Sequence, residues 1–122
     1  MAATAAITIQ GTIIGTTTGA RQIGPITLSS ATANGMVQQV VLASGTNTIT
    51  VPTTPAPSGC IISLPSTNTA VTTLKGVAGD TGIAIGKTTT TVINWDSTAV
   101  PASFVLNSAA LQTGLITEII FF

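Results

Sequence analysis

Histidine and tyrosine do not occur in this chain, and cysteine occurs once. Without imidazole there is no Ser-His-Asp triad, no Cys-His pair and no imidazole metal site. The carboxylates are Asp80, Asp96 and Glu118, scattered along the sequence, whereas a hard-cation site needs them clustered. These absences argue against an enzyme, a bound cofactor or a metal centre. Cys60 has no partner for an intrachain disulfide. It stands in the apolar run Cys60-Ile61-Ile62-Ser63-Leu64 without a polarising neighbour, the setting of a small buried hydrophobe.

Charge is the second scarcity. Charged residues make up 5% of the 122 positions, against about 25% in an ordinary soluble domain. Three cations balance three anions. Arg21, Lys75 and Lys87 stand too far apart to grip a phosphate backbone or an anionic membrane surface, so neither nucleic acid nor membrane is expected as a partner. No apolar run approaches the roughly 20 residues of a transmembrane helix. The first fourteen residues lack a basic start, and Thr8, Gln10 and Thr12 interrupt their apolar positions, so no secretory signal is expected. Release inside a particle at lysis would need none.

Apolar residues, at 44%, are as frequent as in other globular chains. Ordinary hydrophobicity with little charge is the opposite of the disordered composition. Zero net charge also removes the repulsion that keeps copies apart. Either Thr, Ser, Asn and Gln cover the surface, or much of it is buried against other copies. We expect a subunit of a larger assembly.

What is present reads as strands. Residues 74–96, LKGVAGDTGIAIGKTTTTVINWD, hold four of the six charges and the only tryptophan, Trp95. They read as strand, glycine-rich turn, strand, turn, strand. Asp80, between Gly79 and Thr81, suits a turn in which its carboxylate caps backbone donors. Lys75 and Lys87 flank the same double turn and are candidates to pair with Asp80. Gly86-Lys87-Thr88 resembles the end of a phosphate-binding loop, but position 81 is Thr, and strand-forming sequence follows where that motif needs a helix. Trp95 is either a core residue with its indole N–H bonded or an exposed platform for a sugar. Asp80, Lys87 and Trp95 are therefore the candidate surface-binding residues.

Elsewhere the alternation is plain. Ile7, Ile9 and Ile13 share one face of a strand whose other face is Thr8, Gln10 and Thr12, the pattern of a half-buried strand. Residues 15–19 form a loop. A second strand covers residues 23–29, at an edge or starting at Pro25, which lacks a backbone donor. Asn34-Gly35 signals a tight turn into residues 36–43, where helix competes and the valines and the Asn-Gly entry favour a strand. Residues 45–47 turn into the strand at 48–51, and Pro52, Pro55 and Pro57 mark an extended loop. Residues 60–64 read as a central strand. Strands also follow at 71–75, 104–106 and 115–122. The fold class is all-β: one β-sandwich domain, jelly-roll-like, of about eight to ten short strands, with an N-terminal arm at residues 1–6. The chain closes on Ile119-Ile120-Phe121-Phe122, apolar on both strand faces. Such an end is either a central strand of its own sheet or docked on a neighbour.

The segments 74–87 (LKGVAGDTGIAIGK), 94–106 (NWDSTAVPASFVL) and 115–122 (LITEIIFF) resemble small β-rich structural proteins of tailed bacteriophages. The resemblance implies a virion component, either a capsid decoration (cement) protein or a tail-associated subunit, working in multiple copies with other virion proteins. It carries no functional residue over. Its assembly candidates come from the residues themselves: Ala2 and Ala3 of the arm, and Ile119, Ile120, Phe121 and Phe122. The alternative function is a carbohydrate-binding or adhesin module built on Trp95 and the glycine-rich turns. Beyond such a surface, a small-molecule site is not expected.

Overall fold

The computed structural model describes residues 3–14, 19–96 and 98–122. Among them are ten strands and no helix: β1 (Ala3–Ile13), β2 (Arg21–Ala33), β3 (Val37–Val40), β4 (Gly45–Thr50), β5 (Gly59–Ser63), β6 (Thr72–Lys75), β7 (Ile83–Ile85), β8 (Thr90–Asn94), β9 (Ser103–Ser108) and β10 (Thr117–Phe121). Eight of them make two antiparallel four-stranded sheets, in the orders β3-β10-β5-β8 and β4-β9-β6-β7. The pairings nest. β6 pairs with β7, β5 with β8, β4 with β9 and β3 with β10, so the chain from β3 onward is one long antiparallel ribbon folded over on itself. Two further ladders, β10 with β5 and β9 with β6, join neighbouring turns of that ribbon into sheets.

The core lies between the two sheets. Leu42, Ile49, Val51, Cys60, Ile62, Leu64, Phe104, Leu106, Ile119 and Phe121 form one buried cluster. Period-two alternation sets which side chains enter it: Ile49 of β4 points in while Thr48 and Thr50 point out. The inner strands β5, β9 and β10 carry the longest apolar stretches, as strands flanked on both edges require, whereas inner β6 (TTLK) carries one apolar residue. Polar side chains fasten the loops. Asn47 donates to the carbonyls of Ala43 (2.9 Å) and Leu106 (3.1 Å) and accepts from the Ala43 N–H (2.8 Å), closing the turn between β3 and β4. Asn68 donates to the Lys87 carbonyl at 2.7 Å and so ties the β5–β6 loop to the β7–β8 turn.

The C-terminal strand is internal. β10 has β3 on one edge and β5 on the other, Ile119 and Phe121 are fully buried, and Phe122 is buried beside them. Of the two readings of Ile119-Ile120-Phe121-Phe122, the central strand is the one realised. The chain itself covers Ile119, Phe121 and Phe122, which leaves them nothing to offer a neighbour. Ile120 alone faces outward.

The N-terminal arm is longer than residues 1–6. β1 and β2 pair along their length into a hairpin that is a sheet of its own, joined by no ladder to a sandwich strand among the described residues. Ala2 and residues 15–18, expected as part of a loop, lie outside the described residues, and Ala3 pairs with Ala33 at the base of the arm. The half-buried strand expected from Ile7, Ile9 and Ile13 is a strand, but it has no second layer behind it.

Candidate functional site

Two surfaces stand out, a slot in the sandwich and the arm. The slot arises where the ribbon turns from one sheet to the other. β7 and β8 are consecutive in sequence and are each an edge strand of a different sheet, and the sandwich is open between them. The opening is a concavity of about 510 Å³ whose walls include Leu74, Ile83, Ile93, Trp95, Pro101 and Phe104. Ile83 is 72% exposed there. Lys75 and Asp80 are the charged residues in its lining.

The candidate residues of this region separate. Trp95 is half-buried against the core, and its indole N–H donates to the Pro57 carbonyl at 2.7 Å. The indole N–H is bonded, as expected of a core setting, and one side of the ring lines the slot. Asp80 accepts from the Val77 N–H at 2.9 Å, the capping role expected of it. Lys75 donates to the Ala78 carbonyl at 3.4 Å, so its nearest use is the turn backbone and not the Asp80 carboxylate. Lys87 is exposed on the next turn and does not line the slot, so it does not join Asp80 and Trp95 in one site. Asp96 serves its own loop: it accepts from the Thr98 N–H (2.7 Å) and hydroxyl (2.6 Å), and those bonds hold its carboxyl below the usual range. Among the described residues no three Cys, Asp or Glu side chains gather where they could hold a metal ion.

The arm is amphipathic in a way the linear sequence half reveals. Antiparallel register sets Ile7 opposite Leu28, Ile9 opposite Ile26, Gly11 opposite Ile23 and Ile13 opposite Arg21. Cross-strand partners project from the same face. One face of the hairpin is thus Ile7, Leu28, Ile9, Ile26, Ile23 and Ile13, ending at Arg21. The other face carries Thr8 opposite Thr27 and Thr12 opposite Gln22. The register slips by one residue between Ile9 and Gly11, where β2 bulges at Gly24-Pro25. Gly24 has φ +72°, and a Cβ there would meet the backbone of Ile26 at 2.7 Å, so the bulge requires glycine. Ile7 and Leu28, nearer the body, are half-buried, and the distal part of the apolar face is exposed. Ile9, Ile13, Ile23 and Ile26 are 38%, 46%, 39% and 48% exposed. The alternation at Ile7, Ile9 and Ile13 marks a face to be covered but does not say what covers it. The available signal was the second, matching set Ile23, Ile26 and Leu28 within a stretch whose sole charge is Arg21.

A third feature involves Ile120. Across the outer face of the first sheet, Val37, Ile120, Ile61 and Val92 are register partners on β3, β10, β5 and β8. They form an unbroken row of β-branched side chains. The next row is Gln39, Glu118, Ser63 and Thr90.

No protein-family model, curated protein sequence or solved structure matches the chain.

Proposed function

We propose that this protein is a structural subunit of a bacteriophage virion, on the capsid surface or in the tail, that joins other copies through the hairpin arm of residues 3–33. The observation that carries the reading is the exposed distal part of that arm's apolar face. A two-stranded ribbon is marginal alone in water, and six aliphatic side chains on one of its faces are stabilised when a neighbour removes them from water, at about 25 cal/mol per Å². The β1 edge of the ribbon carries no charge to keep it from pairing, whereas the β2 edge has Arg21 and the Gly24-Pro25 bulge. We read the nested strand order as jelly-roll-like, an architecture shared by viral capsid and lectin domains. Fold alone does not choose between those roles. The arm favours the assembly role, and the near absence of charge agrees with a surface largely covered in the working state.

Light scattering over a concentration series tests this. The wild-type chain gives a discrete oligomer, and the double substitution Ile9→Asp, Ile26→Asp gives a folded monomer. A wild-type monomer at every concentration removes the self-assembly reading.

A specific observation supports a second reading, a carbohydrate-binding module: Trp95 is held by Pro57 with its ring in an open slot beside Asp80. Binding on a glycan array that Trp95→Ala abolishes, with the fold intact by circular dichroism, would favour it over the first.

A further inference from the structure

We infer that the arm of one copy lies across the outer face of the β3-β10-β5-β8 sheet of another, its isoleucines on the row Val37, Ile120, Ile61 and Val92, and its Arg21 at Glu118. The inference rests on the assembly reading above and names where the arm docks.

Reach comes first. Strands of 11 and 13 residues extend about 36 Å or more, whereas the sandwich strands of three to six residues span only about 10–20 Å. The arm leaves the body beside the proline loop, where the Ser58 hydroxyl donates to the Ser30 hydroxyl at 3.1 Å. Its distal half, with Ile9, Ile13, Ile23, Ile26 and Arg21, lies where a second molecule can be met.

Charge then selects the face. Arg21 is the only charge among the first 74 residues. The remainder of the chain holds two lysines against three carboxylates, so arm and body carry opposite net charge. Of the three carboxylates, Asp96 is bonded to Thr98, and Asp80 shares the slot lining with Lys75. Glu118 lies between Gln39 and Ser63, both neutral, in the row beside the aliphatic one. An apolar ribbon ending in a cation matches an apolar row bordered by a carboxylate. Two β surfaces also pack face to face at about 10 Å with their side chains interleaved.

Size sets the strength of the contact. The face is four strands wide, about 19 Å, so it takes the distal half of the arm. A contact of about 19 Å by 10 Å buries roughly 400 Å² over both partners, and a pair exchanging arms buries about 800 Å², the size of a weak, concentration-dependent association. Mutual exchange or a closed ring satisfies every arm and every face, as symmetric assemblies require.

The test uses full-length chains with light scattering as the readout and circular dichroism as the check on folding. Arg21→Glu and Glu118→Arg each weaken the oligomer by about tenfold, because each places like charges together, and the double variant recovers wild-type affinity. Ile61→Asp, outward on β5, abolishes the oligomer while the fold persists. If Ile9→Asp, Ile26→Asp dissociates the oligomer but Ile61→Asp and the charge reversals do not, the arm assembles elsewhere and the docking face proposed here is wrong. If none of these substitutions changes the mass of a wild-type oligomer, the arm reading falls with it.

Discussion

Cys60 shows how the absence of other groups makes one residue measurable. It is fully buried on β5, among Ile62, Phe104 and Ile119 of the core cluster. Burial disfavours the thiolate and pushes the thiol from 9.0 up to about 12. A raised acid pKa means the folded chain keeps a proton that the unfolded chain gives up. The associated stability is complete below pH 9 and is lost as pH rises towards 12, at no more than about 1.4 kcal/mol per pH unit. Tyrosine, which would titrate in the same window, is absent. Denaturant midpoints measured from pH 8 to 11 therefore fall for the wild type and fall less for Cys60→Ala. That variant is less stable at pH 8 by roughly 1 kcal/mol, because the lost sulfur leaves a small cavity. The folded wild type also resists thiol reagents at pH 8 and reacts once unfolded. Equal alkaline slopes for the two proteins would place the thiol in contact with solvent.

Elements were legible where their cover is local and illegible where it is not. Thr48-Ile49-Thr50, Cys60-Ile61-Ile62 and Phe104-Val105-Leu106 read as strands because β-branched and aromatic runs bounded by turn residues leave few alternatives. The Asp80 turn was also legible, since a carboxylate among glycines satisfies nearby N–H groups. Two things were hidden. Period-two alternation says that one face of β1 must be covered, but not by which molecule, so the arm read as part of the sandwich. The slot is assembled from Leu74, Ile83, Trp95, Pro101 and Phe104, which are up to 30 residues apart and meet only because β7 and β8 end two different sheets. No spacing rule encodes that meeting. At this scale the arm makes a prediction of its own. Trypsin has three sites, Arg21, Lys75 and Lys87. Lys75 is half-buried in β6, whereas Arg21 is exposed on a ribbon without tertiary support. Open states of such a ribbon lie at the low end of local stability. In dilute, dissociated protein the bond after Arg21 is cut before the bond after Lys75. At concentrations where the oligomer forms, the same bond is protected. Equal cutting in both states, read by mass spectrometry, would show that the arm stays free in the assembly.

For the whole molecule, the question is what force holds copies together when the chain has almost no charge. Each arm carries one cation and six aliphatic side chains, so apolar burial outweighs ion pairing by the composition of the contact. An exposed pair contributes about 0–1 kcal/mol and is screened by salt, whereas roughly 400 Å² of contact, if half of it is apolar, contributes about 5 kcal/mol before the cost of association. The two forces answer conditions differently. Apolar association weakens on cooling and strengthens with excluded salts such as sulfate, and its negative heat-capacity change curves the temperature dependence. Charge-driven association weakens steeply with any added salt. The oligomer accordingly loses mass between 25 °C and 4 °C, regains it in moderate ammonium sulfate, and changes its dissociation constant by only a few-fold between 50 and 500 mM sodium chloride, the loss from one screened Arg21–Glu118 pair. Light scattering at fixed protein concentration across these three series reads the result. A steep sodium chloride dependence with no effect of cooling would mean that charge, scarce as it is, controls assembly. The aliphatic rows on the arm and on the β3-β10-β5-β8 face would then have some other purpose.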